Sequence, residues 1–360
     1  MENLTVAQLS AQLQTLIAGI SDLDEESIGL IQKRLDSLTK PQGSLGQLES
    51  LAKQLGGIQR TSSPKILKKA ILLMAGDHGV VAEGVSAFPQ EVTPQMVYNI
   101  IGGGAAINVL ARQANAEVFC TDVGIAFPLE VEGDIIQKRV ANGTQNMTKG
   151  PAMTRQQALQ ALLVGAEVAD EKIRAGYNLL ATGDLGIGNT TPSSAIVALF
   201  TNSTIESVVG RGTGIDDAGL TKKRRAIEKA IELNQPDPQD ALDVLTKVGG
   251  LEIAAIAGSI LQAAASRVPI VIDGFISTAG ALIASKLAPK STAFMIPSHG
   301  SVEIGHRKAL AELGLDPVLS LNMRLGEGTG AALTFPLVEA ALHILEEMAT
   351  FADAGVSESN

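Results

Sequence analysis

The sequence contains a single cysteine, Cys120, which excludes an internal disulfide framework and a cysteine-based metal cluster. Cys120 stands in an apolar run and is expected to be a buried strand residue, because free cysteine is usually buried. Tryptophan is absent and aromatic residues make up only 3% of the chain, yet the hydrophobic content is 45%, with 37 glycines. This composition favours an α/β protein whose core consists of small and aliphatic side chains.

Clustered positive charge and long apolar runs are also missing. The formal net charge is −10, and no basic cluster exceeds residues 222–225. We therefore expect no binding to nucleic acid. No apolar run reaches the length that spans a membrane, and the N-terminus is polar and acidic, without the basic region of a signal peptide. The sequence thus predicts a cytoplasmic protein with no membrane partner.

Short apolar runs and helix-forming stretches alternate along the middle of the chain. The runs that resemble buried parallel strands cover residues 71–75, 116–123, 178–182, 268–273 and 292–296, with 207–209 as a weaker sixth. The helix-forming stretches between them cover residues 92–114, 154–175, 193–200, 222–233 and 276–287. This alternation predicts an α/β fold with a doubly wound, mostly parallel, Rossmann-like sheet.

The two ends of the chain contain helical patterns without strand signals. We therefore predict a small helical domain made of residues 1–60 and 303–360. Residues 61–302 then form the Rossmann-like domain, which carries most of the active site. Ligands of such sheets bind beyond the carboxyl ends of the strands. Nearly every predicted strand is followed there by a polar or glycine-rich loop.

Residues 323–330 (MRLGEGTG) place one carboxylate, that of Glu327, among three glycines. Thr329 begins a run with helical spacing of apolar residues, so Glu327 lies at or just before a helix N-terminus. The partial positive charge there favours the ionised carboxylate, which could accept a proton at neutral pH. A capping role is the alternative, because acidic residues are common in first turns.

Two loops have the composition of phosphate-binding segments. Residues 183–194 combine glycines, hydroxyl groups and a proline at a plausible first helical position, and they add a second carboxylate, Asp184. Residues 210–214 repeat the glycine pattern, with Lys223 just beyond. Neither loop has a Walker lysine or the spacing of a dinucleotide fingerprint. Together they suggest a site for one phosphorylated sugar.

Other loops suggest a pocket for a flat heteroaromatic ligand and offer two histidine hypotheses. Residues 84–90 supply an aromatic wall with hydroxyl and amide groups nearby. His78 could act as an acid or a base, but a hydrogen-bonded loop contact is the simpler role. A zinc site at His299 and His306 is not expected, because the acidic residues are scattered and cysteine is lacking. A phosphosugar site, a flat pocket and two carboxylates suit glycosyl transfer.

Nine segments in order resemble the nicotinate-nucleotide:dimethylbenzimidazole phosphoribosyltransferase family, and they run from Lys40 to the C-terminal helix. They are residues 40–49 (KPQGSLGQLE), 75–79 (AGDHG), 85–89 (VSAFP), 103–108 (GGAAIN), 186–191 (GIGNTT), 247–250 (KVGG), 273–277 (DGFIS), 297–299 (PSH) and 323–330 (MRLGEGTG).

The resemblance implies a reaction, a set of roles and an assembly. Phosphoribose would pass from nicotinate mononucleotide to 5,6-dimethylbenzimidazole with inversion at the anomeric carbon, without a cofactor or metal, in a homodimer. Glu327 would be the base that takes the benzimidazole proton. The ring pocket would be lined by Leu325, Phe88 and Met96. Phosphate or ribose would be held by Gly186, Gly188, Asn189 and Thr190, with Lys223 and Ser301 as further candidates.

Asp184 departs from the family pattern, since many relatives carry Glu there. The side chain is one methylene shorter, so Asp184 would contact the reacting centre, act through water or only orient its loop. Two alternative functions stay open: a related phosphoribosyltransferase that prefers another base, such as adenine or a phenol, and a binding protein without turnover. A dehydrogenase is not indicated, because the dinucleotide fingerprint is missing.

Overall fold

The computed structural model describes residues 4–129 and 135–357. Within them, six strands form one sheet in the order β3-β2-β1-β4-β5-β6, and every neighbouring pair is parallel. The strands are β1 (Lys69–Gly76), β2 (Glu117–Gly124), β3 (Ile135–Gln137), β4 (Leu179–Leu185), β5 (Ile270–Ile272) and β6 (Met295–Pro297). The prediction of a doubly wound parallel sheet is confirmed.

Fourteen helices surround the sheet in the described part of the chain. They are α1 (Val6–Ala18), α2 (Glu25–Asp36), α3 (Gln47–Gln59), α4 (Val92–Ile101), α5 (Ala106–Gln113), α6 (Arg155–Arg174), α7 (Thr190–Phe200), α8 (Asp217–Asn234), α9 (Ala241–Val248), α10 (Leu251–Ala265), α11 (Phe275–Leu287), α12 (Ile304–Leu313), α13 (Thr329–Glu347) and α14 (Phe351–Ala354).

The sheet separates two apolar layers, because side chains of a strand point alternately to its two faces. On β1, Leu72 and Met74 pack into the layer that contains α6 and α10, whereas Ile71 and Leu73 pack into the layer that contains α13. All eight residues of β1 are buried. Burial on both faces explains why this strand is a continuous apolar run rather than an alternating one.

The two ends of the chain meet on the α13 side of the sheet. Arg34 on α2 donates a hydrogen bond of 2.8 Å to the carbonyl oxygen of Met348. The backbone N–H of Thr39 donates to the carbonyl of Ala349 at 3.1 Å. Helix α13 contacts α2 and α3, and it also packs against β1, β4 and β5. The division into two domains stays a prediction.

Several elements differ from the sequence prediction. The stretch 92–114 is two helices, α4 and α5, because Gly103 takes a φ of 77° between them. The expected strand at 207–209 is absent, and a 3-10 turn, Ile205–Ser207, occupies this place. The valines that follow it, Val208 and Val209, are buried without belonging to a strand. The strand β3 and the helices α9 and α10 were not predicted.

The strand order places a crevice at the carboxyl ends of the strands. The chain runs from β1 outward through β2 to β3 on one side and from β4 through β5 to β6 on the other. Loops that follow β1 and β4 therefore diverge to opposite faces of the sheet, and a ligand can enter between them.

Candidate active site

A cavity of about 290 Å³ lies at the carboxyl ends of β4, β5 and β6. The end of β4 supplies Asp184, and the loops after β5 and β6 supply Gly274 and Ser301. The segment before α13 adds Leu325. The complete lining consists of Phe88, Asp184, Asn189, Thr190, Gly212, Thr213, Gly274, Phe275, Ile276, His299, Ser301, Glu303, Arg324, Leu325 and Gly326.

Six of the residues proposed from the sequence line this cavity: Phe88, Asp184, Asn189, Thr190, Ser301 and Leu325. The others lie around it. Lys223 is behind Thr190, and Glu327 follows the lining residue Gly326. Met96 is half-buried on α4 and packs against the apolar layer around α13. Gly186 and Gly188 lie against the end of β1 and the residues that follow it.

Asp184 is a buried carboxylate at the end of β4. Its Oδ2 accepts a hydrogen bond of 3.0 Å from the side-chain amide of Asn189, and its Oδ1 is buried without a partner in the described part of the chain. Burial raises the pKa of Asp184 well above its usual value, and the negative charges of Asp273 and Glu252 raise it further. The site therefore disfavours additional negative charge at this point and favours a cation.

Glu327 lies just before α13, as predicted, with Gly328 as the N-cap residue between them, and it has an unusual backbone. Its φ is 62°, and its side chain is only 6% exposed, with Oε2 unpartnered within the described residues. The sequence predicted that the helix end would favour the ionised form, and this is wrong. Burial raises the pKa of Glu327, a hydrogen bond from the N–H of Ile107 on α5 opposes the shift, and Asp273 adds to it.

Glu327 and Asp184 are brought together by the glycine between them. A Cβ placed on Gly326 would stand 3.1 Å from both carboxylate oxygens of Asp184. The backbone of Gly326 therefore lies against Asp184, and Glu327 is the next residue. Two buried carboxylates with raised pKa values thus flank one segment of chain beside the cavity.

Asp273 at the end of β5 fixes the start of α13. Its Oδ1 accepts hydrogen bonds from the N–H groups of Gly330 (2.8 Å) and Ala331 (3.1 Å), and its Oδ2 accepts one from Gly328 (3.0 Å). A carboxylate satisfies the free N–H groups of a helix start and interacts favourably with the helix dipole. Asp273 therefore holds the backbone that directly follows Glu327 in a defined position.

Lys223 forms a cationic corner behind Thr190. Its ammonium group donates hydrogen bonds to the hydroxyl of Thr190 (2.7 Å) and the carbonyl of Gly210 (3.3 Å). Burial lowers the pKa of Lys223 to about 8, and the charge of Glu303 opposes this shift. The two glycine-rich loops thus meet at one basic group, an arrangement suited to an anion.

The helix after β4 begins earlier than the sequence suggested. Helix α7 starts at Thr190, so Pro192 is its third residue rather than its first. The hydroxyls of Ser193 and Ser194 donate back to carbonyls of Asn189 and Thr190 and are not free for a ligand. These two hydroxyls, which the sequence placed in a predicted phosphate-binding loop, are therefore engaged within the helix.

His306 supports the loop that carries Ser301. The N–H of Ser301 donates to Nδ1 of His306 at 2.9 Å, so the ring proton is on Nε2, which lies 2.9 Å from the hydroxyl of Thr278. Burial and the neighbouring His299 lower the pKa of His306 to about 3. His306 is therefore a neutral, structural histidine.

His78 is also held within the protein. Its Nε2 lies 2.7 Å from Oε1 of Glu252, both side chains are buried, and His78 is not among the residues that line the cavity. Of the two sequence hypotheses, the hydrogen-bonded contact agrees with this geometry. The partner is Glu252, on α10, which is 174 positions away in the sequence.

Several cavity residues were missed from the sequence. From the sequence, no ligand-binding role was assigned to Glu303, Arg324 or Thr213, and His299 was considered only for a zinc site that was not expected. A signal existed for Arg324, which precedes the glycine-rich segment, and for Asp273, which ends a strand before Gly274. The position of Glu303 at the cavity depends on long-range packing.

Residues 4–129 and 135–357 lack two features, a metal-binding cluster and a membrane-spanning helix. No group of three or more His, Cys, Asp or Glu side chains is arranged to hold a metal ion there. No helix in these ranges has the length and apolar content required to cross a membrane. The cytoplasmic location stays a prediction.

Comparison with known proteins agrees with this geometry. A family model described as phosphoribosyltransferase matches residues 20–356. The chain is 54% identical over 346 residues to a protein of Geotalea uraniireducens and 52% identical over 347 residues to one of Desulforamulus reducens. Each alignment covers 96% of this chain and 98% or 99% of the relative, and both relatives are named nicotinate-nucleotide–dimethylbenzimidazole phosphoribosyltransferase.

Solved structures give the same result. A crystal structure of the Thermus thermophilus enzyme of that name superposes with a TM-score of 0.89 at 46% identity, covering 94% of this chain and all of the other. A structure described as CobT from the same organism matches at 47% identity, also with a TM-score of 0.89, over 93% of this chain. The chain therefore belongs to the nicotinate-nucleotide–dimethylbenzimidazole phosphoribosyltransferase family.

Proposed function

We propose that the chain transfers the phosphoribosyl group of nicotinate mononucleotide to 5,6-dimethylbenzimidazole, with inversion at the anomeric carbon. The products are nicotinate and α-ribazole 5′-phosphate. The observation that carries the proposal is the approach of two buried carboxylates, Asp184 and Glu327, beside one cavity. The names of the relatives supply the substrates.

The electrostatics of the site suit the donor nucleotide. Nicotinate mononucleotide carries a positive charge on its pyridinium ring, and the anomeric carbon gains positive charge as that ring leaves. Burial and the neighbouring carboxylates raise the pKa of Asp184 because they disfavour its negative charge. A cation bound beside Asp184 offsets that effect and favours the ionised carboxylate. Asp184 accordingly stabilises the reacting centre in its ionised form.

Glu327 acts as the general base. One nitrogen of the benzimidazole attacks the anomeric carbon with its lone pair, and the proton on the other nitrogen passes to the carboxylate of Glu327. The bond from the anomeric carbon to the pyridinium nitrogen breaks, and its electron pair neutralises the departing ring. A raised pKa makes Glu327 a stronger base than an exposed glutamate, provided that it is ionised at the working pH.

The remaining side chains have binding roles. Phe88 and Leu325 are 51% and 57% exposed although they line a cavity, and such exposed apolar side chains suit an aromatic ligand. The resemblance adds Met96 to the ring pocket; its side chain lies on α4, outside the cavity lining. The phosphate and ribose are bound at the loops around the start of α7 by Gly186, Gly188, Asn189, Thr190, Lys223 and Ser301.

The first experiment is to incubate the purified chain with both substrates in the absence of added metal and to follow both products by chromatography. We expect nicotinate and α-ribazole 5′-phosphate in equal amounts. Nicotinate without ribazole phosphate would indicate hydrolysis and contradict the transfer. A panel of acceptors that includes adenine and a phenol then tests whether the benzimidazole is preferred.

The stereochemistry needs a separate measurement. A single displacement inverts the anomeric centre, so the product has the α configuration, which the coupling of the anomeric proton in an NMR spectrum reports. A single displacement also forms no covalent intermediate between the enzyme and the ribosyl group. Labelled nicotinate should therefore not exchange into nicotinate mononucleotide when the benzimidazole is omitted. Exchange without acceptor would overturn the one-step mechanism.

The homodimer that the resemblance implies is part of the proposal. Helices α4 and α5 present the apolar side chains of Tyr98 and Val109, which are 42% and 52% exposed. Exposed apolar side chains of this kind are common at protein interfaces. Light scattering should give twice the 37.3 kDa of one chain. A mass of one chain at micromolar concentration would contradict the dimer.

A further inference from the structure

Glu303 has a buried carboxylate that none of the roles above uses. It is the N-cap residue of α12, yet its side chain makes no capping hydrogen bond. The shorter side chains of Ser, Thr, Asp and Asn are the ones that usually bond to the first turn from this position. The side chain of Glu303 instead lines the cavity and is only 9% exposed.

The protein leaves this carboxylate incompletely satisfied. Oε2 of Glu303 is buried and accepts no hydrogen bond from the residues that the structure describes. A Cβ placed on Gly210 would stand 2.1 Å from that oxygen, so the carboxylate lies directly against the backbone of Gly210. A buried acceptor without a donor costs free energy, and this cost is removed when a ligand supplies the donor.

The surroundings of Glu303 indicate which group of a ligand could donate a hydrogen bond to it. The carbonyl of Gly210 accepts a hydrogen bond from Lys223, so the ammonium group and the carboxylate of Glu303 both lie against Gly210. Among the described residues, Lys223 bonds to Thr190 and Gly210 and forms no ion pair with Glu303. A ligand in the cavity can therefore bond to the free acceptor of Glu303, and the positive charge of Lys223 lies behind Thr190.

An ionised carboxylate accepts hydrogen bonds and cannot donate them, and it repels phosphate. The phosphate of the donor therefore belongs near Lys223, and a neutral hydroxyl group belongs near Glu303. We propose that Glu303 accepts a hydrogen bond from a ribose hydroxyl of the donor nucleotide and thereby selects ribosyl over deoxyribosyl donors. This inference rests on the proposed function and names a specificity residue for it.

The test compares three donors: nicotinate mononucleotide and its 2′-deoxy and 3′-deoxy analogues, each with 5,6-dimethylbenzimidazole. We expect the unaltered chain to use the ribosyl donor at least about 10-fold better, in kcat/KM, than one of the two analogues, because a site built to bond a hydroxyl rejects a ligand that lacks it. Glu303→Ala should reduce that ratio to about 3 or less, mainly by loss with the ribosyl donor.

Two further variants make the result specific. Glu303→Gln keeps the volume and one acceptor oxygen but loses the charge, so its selectivity should lie between those of the other two proteins. It carries the test if Glu303→Ala does not fold. Glu312→Gln is the matched control, because Glu312 is on the same helix but forms an exposed ion pair with Lys286. It should retain full selectivity.

Calorimetric binding of the three donors separates this inference from the proposed function. If no transfer occurs but Glu303→Ala abolishes a binding preference for the ribosyl donor, the reaction assignment fails and the role of Glu303 holds. Equal losses for all three donors in kcat/KM and in affinity would overturn the role of Glu303. So would an unaltered chain that does not distinguish the three.

Discussion

The carboxylate of Asp273 accepts a hydrogen bond of 2.8 Å from the N–H of Gly330, across 57 positions of sequence. Through this bond and two more to Gly328 and Ala331, the end of β5 determines where α13 begins. Glu327 precedes that start and has a φ of 62°, a conformation that is unfavourable for glutamate. The position of the proposed base therefore depends on a residue in a different part of the fold.

The first prediction concerns Asp273→Asn. In asparagine an NH2 group replaces one of the two accepting oxygens. This group cannot accept a hydrogen bond from a backbone N–H, so at least one of the three hydrogen bonds is lost. We expect the free energy of unfolding to fall by about 1–3 kcal/mol in a urea titration. The exposed Asp316→Asn is the control and should change it by less than about 0.5 kcal/mol. An unchanged midpoint for Asp273→Asn would contradict the capping role.

The second prediction compares two glycines that lie in helices. A Cβ on Gly330 would stand 1.9 Å from Nδ1 of His299, whereas one on Gly29 would meet nothing within 4 Å. Alanine has the higher helix propensity, so Gly29→Ala should stabilise the protein by about 0.5–1 kcal/mol. Gly330→Ala should instead destabilise it by about 1–3 kcal/mol. Thermal unfolding of both variants measures the difference, and a change of the same sign in both would refute the close packing of His299 against Gly330.

The parts of the fold that could be predicted are those whose signal is local. β1 is a run of apolar residues buried on both faces, and the helix after Thr329 has regular apolar spacing, so both were recognised. The run at 207–209 has the same local composition, but its valines are buried in a turn. Composition reports burial and does not report hydrogen bonding between strands. For the same reason the three-residue strand β3 escaped prediction.

The site shows the same division. Glycine-rich loops after strands are visible in the sequence, and they correctly indicated where Asp184 and Thr190 would lie. The direction of the pKa shift of Glu327 depends on burial and on Asp273, neither of which is sequence-local. The role of Asp273 itself depends on contacts with residues that are distant in the sequence, such as Gly328 at 55 positions. These properties become visible only when the chain is folded.

The third prediction ranks the two carboxylates of the site. Glu327→Gln removes the proton acceptor, so kcat should fall by about 10²- to 10⁴-fold. Asp184→Asn keeps an oxygen that can accept from Asn189 and should cause a much smaller loss. Steady-state kinetics of both variants measure the ranking, with Glu346→Gln, an exposed residue of α13, as the unchanged control. Comparable losses in the two variants would defeat the ranking.

The fourth prediction concerns stability and pH at Asp184. Burial raises its pKa in the folded protein, so its contribution to stability is complete below pH 3.8 and is lost as the pH rises through the folded pKa. Asp184→Asn removes this loss. The variant should therefore be more stable than the unaltered chain at about pH 7.5, by about 0.5–2 kcal/mol, which is typical when a strained functional group is replaced. The gain should shrink as the pH falls toward 3.8. A gain that is independent of pH would contradict this cause.

The fifth prediction concerns the pH dependence of donor capture at Lys223. Burial lowers the pKa of its ammonium group to about 8, so the free protein loses this positive charge as the pH rises through about 8. If the phosphate binds there, kcat/KM for nicotinate mononucleotide should decline above that pH. At lower pH the same profile should rise as Glu327, whose pKa is raised, becomes ionised, and the two limbs together give a bell shape.

Two lysine variants test whether Lys223 causes the decline of kcat/KM at high pH. Lys223→Met should lower kcat/KM by about 10- to 100-fold at neutral pH and remove the alkaline decline, because the titrating charge is gone. Lys222→Met alters the neighbouring, exposed lysine and should keep both the rate and the profile. Bound phosphate stabilises the ammonium form, so the alkaline limb of kcat should lie at higher pH than that of kcat/KM. A limb that persists in Lys223→Met would assign it to another group.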